Sequence, residues 1–295
     1  MSRKGIRRKN YMGTAFMAPA FTLFTCFVVI PLVLSIYYAF TKWNGISKPS
    51  FVGVLNFQKL MHTADYWKTF SNTMILLIVS LVFQVLLGLL LAWLLINSFK
   101  LFKFFRALLF LPVVVAPMAI GLLFSLFYNP EFGIINPLLS FFIPNFNPPK
   151  WLSDSSVVLV SVIIPQVWQY IGMYTIIFAA AILGIPEDLF ESARMDGANQ
   201  WKVFTRMVIP QVRDIFRICI VLAVTGSLKA FDHAWAITGG GPGFHSSYLA
   251  IYMYKSAFVR SAYGYASAIS VTMLLVSIIL TFIVRKLFPS DEGVS

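Results

Sequence analysis

Charged side chains are scarce in this chain. Asp, Glu, Lys and Arg make up 12% of its 295 residues, where soluble domains carry about 25%. So few charges cannot wet a globular surface, which excludes a water-soluble fold and makes lipid the main solvent. Cysteine is nearly missing too. Cys26 and Cys219 both sit inside apolar runs, with no CxxC or Cys/His cluster, so a disulfide framework and a structural zinc site are excluded and both thiols read as small hydrophobes. There are three histidines, and neither an HExxH nor a GxxxxGK[ST] motif occurs. The chain therefore carries no zincin centre and no nucleotide cradle of its own. Acidic residues number 11 against 23 Lys plus Arg. That imbalance does not point to nucleic acid, because the basic residues lie in short blocks between apolar runs rather than on one face.

What the chain has in abundance is uninterrupted apolar sequence. The charge-free runs hold 32 residues between Lys9 and Lys42, 31 between Lys68 and Lys100, and 24 between Arg106 and Glu131. Two more hold 32 residues between Asp154 and Glu187 and 24 between Arg260 and Arg285. A spanning helix needs about 20. A sixth span is drawn at Phe216–Ile237, although it contains Lys229, Asp232 and His233, because Ile218–Leu228 is free of charge and because an even number keeps the charge rule consistent. The expectation is an all-α membrane protein with six transmembrane helices at about 11–40, 70–98, 106–128, 156–183, 216–237 and 262–284, forming one membrane domain over 1–295. With both termini placed in the cytoplasm, the cytoplasmic segments hold 15 Lys plus Arg and the outer ones 7, as the positive-inside rule demands. The first run follows a basic head but is about twice the length of a signal-peptide core, so an uncleaved helix is expected.

Pro31, Pro112, Pro117 and Pro165 interrupt these spans. Each removes a backbone hydrogen bond, and in lipid the freed carbonyls must be satisfied by neighbours. Kinked spans therefore suit a bundle packed around a cavity, or ordinary kinked packing. The fourth span adds Gln166, Trp168, Gln169, Tyr170 and Tyr174. Such groups face the bundle interior, either as interhelical glue or as aromatic and hydrogen-bonding surface for an uncharged polar solute. Trp168 and Tyr170 are the stacking candidates. Lys229, Asp232 and His233 lie at helical i, i+3 and i, i+4 spacing, which predicts either a Lys229–Asp232 ion pair or a small polar network.

The informative cytoplasmic stretch is 184–213. Pro186 suits a first helical position, with Glu187 and Asp188 at the positive helix end. Gly197 reads as a stop and turn, and Trp201, Phe204 and Val208 share a face of a second helix. The expected product is a helix–Gly–helix hairpin whose apolar side chains seek the membrane interface or another protein.

Here the sequence resembles the permease subunits of ABC importers. Their cytoplasmic loop has the form Glu-Ala-Ala, three residues, Gly, nine residues, Ile-x-Leu-Pro. This chain reads Glu191-Ser192-Ala193, Gly197 and Met207-Val208-Ile209-Pro210, departing only by Ser192, Met207 and Ile209. Phe231-Asp232, Thr238-Gly239-Gly240-Gly241-Pro242, Tyr252, Ala257-Phe258 and Gly264-Tyr265-Ala266-Ser267-Ala268, with Phe105-Arg106 and Leu111-Pro112 upstream, resemble the maltose-type carbohydrate branch. The resemblance implies a type I importer permease fold in a bacterial-type inner membrane. It also implies a homologous second permease, two ATPase subunits that hold ATP and Mg, and an extracytoplasmic binding protein that delivers sugar. Glu191, Ser192, Ala193, Asp196, Gly197 and Pro210 would couple to one ATPase subunit. Positions matching sugar contacts in the branch are Tyr170, Met173, Gly226, Ser227 and Ala230. Glycerol-3-phosphate is a competing substrate within the family, which Lys229 would suit. A secondary transporter is the competing class, but inverted repeats and a discontinuous helix pair are not evident in the sequence.

Overall fold

The structure is a computed structural model, and it describes residues 16–97 and 102–288. The basic N-terminal segment, Lys100 and the last seven residues lie outside the described residues, and with them the beginning of the first span.

Among the described residues, four helices are long and apolar enough to cross a bilayer: α1 (Phe16–Ala39), α3 (Ala64–Asn97), α7 (Val158–Leu183) and α13 (Tyr263–Leu287). The apolar pair α4 (Phe102–Val114) and α5 (Pro117–Phe127) meets at a bend of 95°, the geometry of a broken span or a re-entrant loop. The expected span at 106–128 is thus broken more sharply than a kink, for a local reason. Ala116 precedes Pro117, and the proline ring drives that residue out of the helical region, to φ −58°, ψ 131°.

The segment Phe216–Ile237, expected as a sixth span, is not one continuous helix. The chain forms α10 (Arg213–Leu228) and α11 (Asp232–Thr238), separated at Lys229–Phe231. Phe231, at φ −142°, ψ −57°, destroys the helical spacing on which the Lys229–Asp232 pair depended, and that ion pair is not formed among the described residues.

Contacts group the chain into two compact units. The first contains residues up to His62 and Met253–Thr272. In it α1 is followed by a two-stranded hairpin, β1 (Thr41–Lys42) with β2 (Ser50–Phe51), registered Thr41 to Phe51 and Lys42 to Ser50, and by α2 (Leu55–Met61). Buried Asn56 donates from Nδ2 to the carbonyls of Ala39 (2.8 Å) and Thr41 (2.9 Å), satisfying acceptors left over where α1 ends.

The second unit contains Thr63–Tyr252 and the chain from Met273. Its core joins Leu76 of α3, Val162 and Ile163 of α7, Ala234 and Ile237 of α11, Tyr248, and Ile251 of α12 (Leu249–Val259). The Gly-rich loop after α11 is tied to α3 by one side chain. Asn72 Nδ2 lies 2.9–3.0 Å from the carbonyls of Phe244, His245 and Ser247. The segment 129–154, between α5 and α7, contains a short helix, α6 (Ile135–Phe142), braced by Trp151 Nε1 donating to Asn136 Oδ1 at 2.7 Å.

Candidate functional site

The second unit holds a cavity of about 390 Å³ in its helical part, within the size range of small-molecule sites. One wall is α7, which contributes Gln166, Tyr170, Met173 and Tyr174. The opposite wall is the end of α10 with the break after it: Thr225, Gly226, Ser227, Lys229, Ala230 and Phe231. Asp232 and His233 of α11 and Ser80 and Gln84 of α3 complete it. The break at Lys229–Phe231 shapes this site, because one continuous helix would not set the ends of α10 and α11 side by side around it.

Five of the six residues singled out for substrate contact come together here: Tyr170, Met173, Gly226, Ser227 and Ala230. Trp168 does not. It is exposed and lies against Phe124, 5.7 Å between ring centroids. Two positions on from it, Tyr170 faces the cavity and packs edge-on to His233 at 6.0 Å. Ser80 and Gln84 are not among the residues expected from sequence. Their signal is present, as two polar side chains one helical turn apart in an apolar span. Gln84 lies in a π-helical stretch of α3, Leu81–Leu86, and its Nε2 donates to the Gln166 carbonyl at 3.3 Å.

Gln169 resolves the choice between glue and lining for one member of the α7 set. It is fully buried, and its Nε2 donates to the carbonyls of Pro112 (3.1 Å) and Val115 (2.8 Å) at the α4–α5 break. Both amide hydrogens are thus used, so Oε1 must accept. His233 Nε2, 2.6 Å away, is therefore the donor, and Nδ1 is left as the ring's acceptor. One polar chain connects the cavity wall to the broken span. Gln169→Leu leaves the Val115 carbonyl and an imidazole N–H without these partners, while the Pro112 carbonyl keeps only the Val115 N–H at 3.2 Å. The expected loss is about 2 kcal/mol, from the penalty for orphaned buried groups tempered by the smaller values seen in membranes. Thermal unfolding of the purified protein in detergent checks this, with Trp168→Phe as a neutral control. An unchanged midpoint for Gln169→Leu would refute the assignment.

The second site is the segment after α7. Helix α8 (Glu187–Met195) has Pro186 as its N-cap, one place before the first helical position expected. Glu191, Ser192 and Asp196 are exposed and Ala193 partly so. Gly197 adopts φ +71°. Its N–H reaches the Arg194 carbonyl and that of Ala198 reaches the Ala193 carbonyl, both at 3.0 Å. This is the paired bonding of a Schellman stop. Asn199 Oδ1 then accepts from Lys202 N at 2.8 Å and starts α9 (residues 200–211), which carries a π-helical stretch at Phe204–Val208 and ends past Pro210.

The expectation that the apolar face here lacks a partner is corrected in part. Phe204 and Val208 are buried, and Phe204 stacks on Trp93 of α3 at 5.5 Å. What stays exposed is Leu189, Met195 and Trp201. A hollow of about 330 Å³ lies beneath α8, lined among others by Trp93, Ile182, Phe190 and Val203. Among the described residues no group of three or more His, Cys, Asp or Glu is placed to hold a metal ion.

Comparison with known proteins fits this geometry. Residues 84–290 match the family of binding-protein-dependent transport system inner membrane components. The chain is 35% identical to the probable ABC transporter permease protein YurN of Bacillus subtilis over 97% of this chain and 99% of that one. It is 29% identical to the probable starch degradation products transport system permease protein AmyD of Thermoanaerobacterium thermosulfurigenes, covering 91% and 90%. Among solved structures it superposes on a chain of a bacterial alginate ABC transporter, in complex with an alginate pentasaccharide-bound periplasmic protein, with TM-score 0.84, 22% identity and 99% of both chains covered. With this fold, the family match over most of its length and relatives that align end to end, the chain belongs to the binding-protein-dependent transport family as a multi-pass membrane permease of the ABC importer type.

Proposed function

We propose that this chain is the membrane subunit that passes a sugar, in oligosaccharide form, through an ATP-driven importer. The observation that carries this reading is the cavity. It offers the Tyr170 ring for stacking, hydroxyls and amides at Ser80, Gln84, Thr225, Ser227 and Gln166, and apolar patches at Met173 and Ala230. Such a lining suits an uncharged, polyhydroxylated solute better than a phosphorylated one, since Lys229 is the one cationic side chain in the wall and is exposed. The relative named for transport of starch degradation products supports the substrate class.

The rest of the assembly follows from what the chain does not supply. It has no nucleotide cradle, so it acts as a transport subunit without enzymatic activity, and ATP with Mg is held by two partner ATPase subunits. One cytoplasmic hairpin serves one ATPase, so a homologous second permease provides the other. An extracytoplasmic binding protein delivers the sugar. Both termini lie in the cytoplasm, in keeping with 15 Lys plus Arg on that side against 7 outside.

The test is uptake of radiolabelled maltodextrin into liposomes containing the reconstituted complex with its binding protein. Tyr170→Ala should lower import at subsaturating sugar about tenfold, the scale of one lost aromatic contact with its hydrogen bond. Leaving out the second permease should abolish import. Full import by the Tyr170→Ala complex would move the site, and import without the second permease would overturn the assembly.

A further inference from the structure

His233 stands in the wall of the cavity between α7 and the end of α10, and the hydrogen bonds behind it leave its ring one tautomer. We propose that His233 is a specificity-determining residue, its Nδ1 accepting a hydrogen bond from one hydroxyl of the passing solute. This rests on the sugar reading of the cavity and adds to it a single acceptor of fixed polarity.

The tautomer is set from outside the cavity. Both hydrogens of the Gln169 amide are taken by the Pro112 and Val115 carbonyls, so Gln169 Oε1 meets His233 Nε2 as an acceptor, at 2.6 Å. Nε2 therefore carries the ring proton, and Nδ1 holds a lone pair and no hydrogen. A half-turn of the ring would put Cε1 against Oε1 and lose the bond. The backbone beneath is held as well. Helix α11 lies so close to α5 that a Cβ on Gly121 would strike Ala236 and crowd the His233 carbonyl.

Nδ1 is the atom left for a solute. Among the described residues it has no hydrogen-bond partner, and it is not sealed inside protein as Nδ1 of His245 is. A mostly buried acceptor without a donor is costly, and a hydroxyl in the cavity supplies the donor. Other polar groups of the wall discriminate less. The hydroxyls of Ser80 and Ser227 rotate to donate or accept, and Asp232 is exposed. Tyr170 stands beside His233, with 6.0 Å between ring centroids and 72° between ring planes. A sugar ring stacked on Tyr170 carries its hydroxyls around its rim, where the neighbouring imidazole offers Nδ1. A site built to accept from a hydroxyl rejects the analogue that cannot donate.

The experiment uses the reconstituted complex with its binding protein and radiolabelled maltotriose, alongside maltotrioses in which one hydroxyl at a time is replaced by fluorine. Fluorine is close to a hydroxyl in size and cannot donate. At one hydroxyl position, the ratio of analogue import to maltotriose import should be about tenfold higher in the His233→Gln complex than in the parent. Glutamine carries an amide N–H where Nε2–H stood, so it keeps the link to Gln169, and it has no acceptor at the place of Nδ1. Both complexes use the same binding protein, whose own preference cancels in the comparison. Nitrogen NMR of the isotopically labelled histidines, with the His233 signal identified by its loss in His233→Gln, should show a proton on Nε2 and none on Nδ1. Equal ratios in the two complexes at every position would overturn the proposal and leave His233 as a packing partner of Gln169. A proton on Nδ1 would overturn it too. With equal ratios, import reduced by Tyr170→Ala would keep the sugar reading of the cavity while the His233 assignment falls, and full import by Tyr170→Ala would remove both.

Discussion

Replacing Gly172 with alanine is expected to prevent the chain from accumulating in the membrane in folded form. Gly172 is buried at the middle of α7, where α4 passes against it. A Cβ built there falls on the carbonyl oxygen of Leu109, far inside van der Waals contact, with Leu109 C and Phe110 N also close. The obstacle is backbone, so no rotamer change relieves it. The helices must part, and parting them pulls Gln169, one turn earlier on α7, away from the carbonyls of Pro112 and Val115. Overpacking of about 1–3 kcal/mol is therefore joined by the loss of two buried hydrogen bonds. The sum is about 3–5 kcal/mol, a large part of the stability of a typical domain. Gly226, also in a helix, meets nothing within 4 Å when given a Cβ. Gly226→Ala should accumulate normally, and it controls for a general intolerance of glycine replacement. Membrane fractionation and detergent-extracted yield, compared by size-exclusion chromatography, decide the matter. Gly172→Ala at parental yield and stability would mean that α4 and α7 do not pack this closely.

How far such features are legible in the sequence differs from element to element. The long helices are legible because the hydrophobic effect writes them as runs without charge, and α1, α3, α7 and α13 need no tertiary information to be found. The α4–α5 break is half legible. Pro117 and its effect on Ala116 are local, but Gln169, whose amide meets the carbonyls of Pro112 and Val115 at the 95° bend, is more than fifty residues away. The break at Lys229–Phe231 carries no glycine or proline, so nothing local announces it. It follows from the packing of Ala230, Ala234 and Ile237 into the core with Leu76 and Tyr248. The cavity residues on α7 and α10 are reachable through the resemblance, since spacing from Glu191 and Thr238 indexes them. Ser80 and Gln84 are not, because no motif anchors α3. The burial of Phe204 is hidden for the same reason, its stacking partner Trp93 lying far back in the chain on that same helix.

The hairpin of α8 and α9 is where the largest functional effect is expected, and its geometry says which substitutions separate docking from folding. Gly197 sits at φ +71°, and a Cβ placed on it meets nothing within 4 Å. Within this chain alone, a non-glycine residue there meets only left-handed backbone strain, about 1–2 kcal/mol and less for Asn. Glu191 is exposed, so Glu191→Ala is near neutral for the fold. Neither change disturbs the anchor of the hairpin, since Phe204 and Val208 are buried elsewhere on α9. Under the proposed function, the exposed side chains of α8 and the tight Gly197 turn are what an ATPase subunit grips. Glu191→Ala and Gly197→Val should then both insert at parental levels while importing less than about a tenth as much sugar, a tenfold loss corresponding to about 1.4 kcal/mol of coupling. In both variants ATP hydrolysis should cease to rise when sugar-loaded binding protein is added. Gly197→Asn distinguishes shape from contact. Asn tolerates the left-handed turn, so recovery of import in that variant places the requirement in the backbone of the turn. Failure of Asn and Val alike places it in the space that a partner side chain must occupy. Full, stimulated import by both Glu191→Ala and Gly197→Val complexes would remove Glu191 and the Gly197 turn from the coupling path, leaving the exposed apolar side chains of Leu189, Met195 and Trp201 on the hairpin as the groups through which an ATPase would have to act.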